Sequence, residues 1–108
     1  MKKEFYKRIT ITDKGCRQEL EYYILTDNVS EEYCDLIVYG AEIDRVITRT
    51  SGIIERDKKI IPDLFFVKEE AEEFLRKISD NKTTPVDLKY AVRDYIGKQL
   101  HIKDTESV

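Results

Sequence analysis

Ile60-Ile61-Pro62-Asp63-Leu64-Phe65-Phe66-Val67-Lys68-Glu69-Glu70-Ala71-Glu72-Glu73-Phe74-Leu75-Arg76-Lys77-Ile78, residues 60–78, divides the chain into two kinds of sequence. After Pro62, the apolar residues Val67, Ala71, Phe74, Leu75 and Ile78 recur at i, i+4, i+7, i+8 and i+11, which puts them on one stripe of a helix. Glu72 with Arg76 and Glu73 with Lys77 pair acid before base on the opposite side, each pair contributing roughly 0.2–0.5 kcal/mol. Pro62 itself donates no ladder hydrogen bond, so a strand entering it should end there or lie at a sheet edge.

Upstream the period is two. Phe5, Ile9 and Ile11 read as one face of a first strand, with Tyr6, Arg8, Thr10 and Thr12 on the other and an interruption at Lys7. Asp13-Lys14-Gly15 suits a three-residue hairpin turn in which Gly15 takes the left-handed conformation. A second strand, from about Gln18 to Thr26, places Leu20, Tyr22 and Ile24 inward, with Glu19, Glu21 and Tyr23 outward. Residues 27–32 read as an exposed loop, and Cys34 to about Arg49 as a third strand. Its centre is apolar on both sides, with Leu36 and Val38 facing one way and Ile37, Tyr39, Ala41 and Ile43 the other. Ser51-Gly52 then reverses the chain into a fourth strand from Ile53 to about Lys59.

Downstream, Thr84-Pro85-Val86-Asp87 supplies an N-cap hydroxyl, a proline at the first helical position and an acid at the third. Leu88, Ala91, Val92, Tyr95, Ile96 and Gln99 form the inner stripe of this second helix. The fold class is therefore α+β: an N-terminal antiparallel sheet of about four strands followed by two C-terminal helices packed on one face. Residues 1–100 are expected to form a single domain and 101–108 a flexible C-terminal tail.

Composition agrees with one small domain. The chain has 108 residues, 41% apolar and 38% charged, with 19 basic against 22 acidic residues and a net charge of −3. The signs are interleaved, so no electrostatic preference for nucleic acid follows. The start lacks the apolar run and cleavage site of a secretory leader, and no apolar run approaches the ~20 residues that span a bilayer, so a cytoplasmic protein without membrane contact is expected.

Catalytic constellations are missing at the level of sequence. The sole histidine, His101, stands in the expected tail; Cys16 and Cys34 form no CxxC pair; and the four glycines are too dispersed for a phosphate loop. Neighbouring acids such as Glu69-Glu70 diverge by about 100° on a helix and do not converge on one substrate atom. No catalytic, cofactor-binding or metal-ligating residue is assigned, no cofactor is expected, and the chain is not read as an enzyme.

What remains is a surface. With both helices on one face of the sheet, Tyr6, Arg8, Tyr23, Leu25, Leu36 and Val38 are candidates for an interaction patch on the other, joined by Tyr90 on the outer side of the second helix. The leading reading is a non-enzymatic protein-interaction or regulatory module, with an unidentified protein partner or a second copy meeting the sheet face. The alternative is a nucleic-acid-binding regulator using Lys89, Arg93 and Lys98 of the second helix, against which Asp87 and Asp94 would repel phosphate. A third reading is an enzyme that lacks a recognisable motif.

Asp80-Asn81-Lys82-Thr83-Thr84-Pro85-Val86-Asp87-Leu88, followed by Val92-Arg93-Asp94-Tyr95-Ile96, resembles the N-x-x-T-P-x-x-L … V-x-D-Y-I close of a family of small uncharacterised bacterial proteins, a domain of unknown function. Tyr22-Tyr23-Ile24-Leu25 and Tyr39-Gly40-Ala41-Glu42-Ile43 are similar to that family's strands. The resemblance implies the fold and brings no activity or functional residue with it.

Overall fold

The computed structural model describes residues 1–30 and 32–106, with side-chain surroundings as far as residue 97. Four strands, β1 (Lys2–Asp13), β2 (Cys16–Ser30), β3 (Asp35–Arg49) and β4 (Ile54–Phe65), are followed by α1 (Lys68–Asp80) and α2 (Leu88–Glu106). The strands form one antiparallel sheet in the order β1-β2-β3-β4, so every neighbour in space is a neighbour in sequence. The α+β architecture expected from the change of period is the one observed.

Local chemistry explains most boundaries. Gly15, at φ 68°, turns β1 into β2, and Asp13 pairs with Cys16, so the loop has two residues rather than the expected three. Residues 27–30, expected as loop, continue β2 and pair with Asp35–Val38, because the long β3 offers them partners. α1 begins after Val67, which is its cap residue and is exposed instead of starting the buried stripe. Before α2, residues 84–87 wind as a tight turn, with the amides of Asp87 and Leu88 donating to the carbonyls of Thr84 and Pro85. The helix continues to Glu106; the side chains of 98–108, including His101, and residues 107–108 lie outside the described residues, and with them most of the expected tail.

One face of the sheet is covered. Leu20, Tyr22, Ile24, Ala41 and Ile43 form a core with Ala71, Phe74, Leu75 and Ile78 of α1 and with Leu88 and Tyr95 of α2. Phe65, Phe74 and Tyr95 meet pairwise with ring centroids 5.4–5.5 Å apart. The Tyr22 hydroxyl donates to the Thr83 carbonyl at 2.8 Å and so ties β2 to the α1–α2 connection. Lys7–Asp80 and Lys68–Glu4, both 3.7 Å, link the two ends of α1 to β1. Ile96 of the expected inner stripe of α2 is exposed.

Two irregularities depart from simple alternation. Between Phe5 and Lys7 the β1 register shifts, leaving Tyr6 as an extra residue. Tyr6 consequently packs against the core, while Phe5, expected inward, is 54% exposed on the open face. In β4, Pro62, Asp63 and Leu64 oppose the single residue Gly40, with Asp63 at φ 58°. A Cβ on Gly40 would stand 2.5 Å from the Ile61 carbonyl oxygen and 2.7 Å from the Pro62 Cα, so the β4 backbone passes over Gly40 on the open face. Pro62 is thus inside β4 rather than at its end, which an edge strand permits.

Candidate interaction surface on the open sheet face

The register builds the uncovered face row by row. Lys3, Leu25 and Gly40 lie side by side; the next row is Phe5, Tyr23, Glu42 and Ile60, and the next Arg8, Glu21, Asp44 and Lys58. Phe5 and Tyr23 meet edge to face, their ring centroids 5.8 Å apart. Phe5, Leu36, Ile54 and Ile60 are exposed there.

A charged cluster occupies the centre. Glu42, only 3% exposed, accepts a hydrogen bond from Lys3 Nζ at 2.6 Å, and the same ammonium lies 3.5 Å from Asp44 Oδ2 and 4.1 Å from the Tyr23 ring centroid. Burial and the neighbouring Glu42 carboxylate push Asp44 up to about 6, and its Oδ1 is buried without a protein partner. Burial also presses on Glu42, but hydrogen bonds from Asp44 and Lys3 bring it below the usual glutamate value. The two carboxyls, side by side on one strand face, are thus displaced in opposite directions, Asp44 up and Glu42 down. Beside them the Tyr23 hydroxyl donates to Glu21, which lowers Glu21 and pushes Tyr23 up to about 12, and Arg8 pairs with Glu21 at 3.0 Å.

The residues selected from sequence separate under this geometry. Tyr23 and Arg8 are on the open face, as expected, both fixed by Glu21. Leu36 is exposed, but Leu25 and Val38 are buried, lying beside the β4 crossing at Gly40. Part of the cover over the second apolar side of β3 is therefore the chain's own β4. Tyr6 belongs to the core side because of the β1 bulge. Tyr90 is exposed on the helical layer, with Lys89 Nζ 5.0 Å and the Arg93 guanidinium 5.8 Å from its ring, and it does not join the sheet-face group. Sequence reading missed Phe5, Lys3, Glu42, Asp44 and Ile60. The pairing of Lys3 with the acids depends on register, and the one local sign of the Phe5 reversal was the break in alternation at Lys7.

On the covered face, Arg45 makes a two-point contact with Asp57 at 2.8 and 2.7 Å. Cys16 and Cys34 are both free thiols. No helix among the described residues is long and apolar enough to cross a membrane.

The model of a family of unknown function, DUF6514, matches residues 1–98. No curated protein and no solved structure matches the chain.

Proposed function

We propose, from the premise that this chain belongs to the DUF6514 family and takes no activity from it, that it is a non-enzymatic protein-interaction module that docks a partner on its open sheet face. The observation that supports this reading is the row Phe5–Tyr23–Glu42–Ile60. An aromatic pair and an isoleucine run across all four strands beside a cluster of fixed charges. Interfaces favour such a composition, large rigid side chains at the centre with polar groups satisfied around them. Four strands about 4.8 Å apart and some twelve residues long present roughly 800 Å², the area per partner of a standard protein interface.

Charge pattern favours a different chain over a second copy. On this face β1 carries Lys3 and Arg8, β2 Glu19 and Glu21, β3 Glu42 and Asp44, and β4 Arg56 and Lys58. A copy laid face to face about a twofold axis along or across the strands brings the central acids onto acids. A homodimer through this face needs a lateral offset; a partner with a basic centre needs none.

Capture of binding proteins by the tagged chain tests the reading. Phe5→Glu should abolish a specific partner, while Val86→Glu, exposed on the helical side, should leave it bound. Equal capture by both variants would dismiss the sheet face. Light scattering at micromolar concentration tests the homodimer form, which a monomeric mass removes.

A further inference from the structure

β1 and β4 are the two outer strands of the sheet, and their free edges differ. β4 carries Arg56, Asp57, Lys58 and Lys59 in succession and then the irregularity at Pro62 and Asp63, the charges and kinks that keep an edge from pairing with another strand. β1 beyond its bulge reads Ile9-Thr10-Ile11-Thr12, regularly paired, β-branched throughout and without charge or proline. Thr10 and Thr12 are exposed, and Ile9 and Ile11 are only half-buried against the core. Among the described residues no segment pairs with the outer side of β1.

The backbone phase of this edge follows from the pairing of β2. The Thr50 amide donates to the Gly15 carbonyl at 3.0 Å, and antiparallel pairs alternate between bonded and unbonded, so Arg17, Glu19 and Glu21 turn their N–H and C=O groups toward β3. Cys16, Gln18, Leu20 and Tyr22 turn theirs toward Asp13, Ile11, Ile9 and Lys7 of β1. Arg8, Thr10 and Thr12, lying between, therefore aim their amides and carbonyls out of the sheet edge. A twofold axis normal to the sheet through Thr10 brings the same three residues of a second copy into bonding phase, Thr10 opposite Thr10 and Arg8 opposite Thr12. It also sets Ile9 beside Ile11 and Lys7 beside Asp13, so the flanking charges meet with opposite sign. α1 reaches β1 through the ion pairs Lys68–Glu4 and Lys7–Asp80. The axis separates the Lys7 residues of the two copies by the span from residue 7 to residue 13, roughly 20 Å along the strands, which keeps those helical contacts clear of one another.

We propose that two copies of this chain join through the outer edge of β1, from Lys7 to Asp13, so that the two four-stranded sheets become one continuous sheet. Because the axis is normal to the sheet, both open faces point the same way and stay uncovered. Edge pairing and docking on the open face use different surfaces, and either can fail without the other.

Sedimentation equilibrium of the full chain should show a concentration-dependent dimer, and amide hydrogen exchange should slow at Arg8, Thr10 and Thr12 as the dimer forms. Thr10→Pro deletes an amide that no strand of its own chain uses and should leave a monomer. Because a proline within a strand can also weaken the fold, two charge variants provide a second test. Lys7→Glu and Asp13→Lys each oppose like charges twice across the axis, and each should self-associate about tenfold more weakly. Mixed in equal amounts they restore opposite charges at both places and should pair as well as the unaltered chain. The proposal is overturned if the chain stays monomeric up to about 500 μM, a range that would reveal a Kd near the millimolar. It is equally overturned if Thr10→Pro folds and still dimerises, or if the two charge variants associate no better together than apart. A dimer kept in Thr10→Pro but lost in Ile60→Glu, exposed on the open face of β4, would overturn it by placing the contact on the sheet face.

Discussion

The two faces of the sheet use alternate residues of the same strands for different ends. On the covered face Leu20, Tyr22 and Ile43 are fully buried beneath the helices. On the open face their neighbours Glu21, Glu42 and Asp44 are held by hydrogen bonds and ion pairs to β1, and Tyr23 by its hydrogen bond to Glu21. Apolar burial of a large side chain contributes roughly 1.5–3 kcal/mol, whereas exposed ion pairs contribute about 0–1 kcal/mol. Stability should therefore reside mainly on the covered face.

The largest test of that contrast is Phe74→Ala. It removes a fully enclosed ring from the Phe65–Phe74–Tyr95 cluster and should cost about 3–5 kcal/mol in urea denaturation. A loss under about 1 kcal/mol would break the comparison, because the helical cover would then not be what stabilises the sheet.

Gly40→Ala comes next, at about 1–3 kcal/mol by the same measurement. The obstruction is the Ile61–Pro62 backbone, which cannot turn aside as a side chain would. Here, beside the buried Leu25 and Val38, the open face should behave like core.

Asp44→Asn should be smaller and of opposite sign. Folded Asp44 keeps its proton up to about pH 6, whereas the unfolded chain releases it near 3.8, the ordinary value for an aspartate. Between those values the folded state binds more protons, so this group's contribution is fully present below about 4 and is lost as pH rises through about 6. Glu42, lowered in the folded state, works in the other direction and reduces the sum. Asp44→Asn should stabilise the protein by about 1 kcal/mol at pH 8 and by little at about pH 3.5, read from denaturation midpoints at the two values. A pH-independent effect would show that Asp44 is not raised in the folded protein.

Phe5→Ala should change stability least, by under about 0.5 kcal/mol, since the ring is largely exposed. Together with loss of a captured partner it would sharpen the division between the faces; a core-sized loss of stability would blur it.

The covered face was legible in the sequence because period-2 and period-3.6 patterns report burial directly. Leu20, Tyr22, Ile24, Ala71, Phe74, Leu75 and Ile78 all face the core as their spacing requires. The open face was legible only in part. Tyr23 and Arg8 follow from alternation, but the bulge at Tyr6 reverses the phase of β1 before Lys7 and exchanges Phe5 for Tyr6. A slip of one residue flips each side chain beyond it to the other face. The burial of Leu25 and Val38 and the meeting of Lys3 with Glu42 and Asp44 depend on pairings 15 or more residues apart in the chain, which no local pattern encodes.

A sheet whose strand order equals its chain order also has a kinetic meaning. Each strand pairs with the one just made, so every loop to be closed is short, and contacts local in sequence favour fast folding. Hairpins close in roughly 1–10 μs, and three in succession complete the open face before α1 is required. The interior side, with Leu20, Tyr22 and Ile43, is sealed only when α1 docks back across the strands. During synthesis from the N-terminus the open face would thus take shape first, and the greasy underside would be the last part to be shielded from other chains.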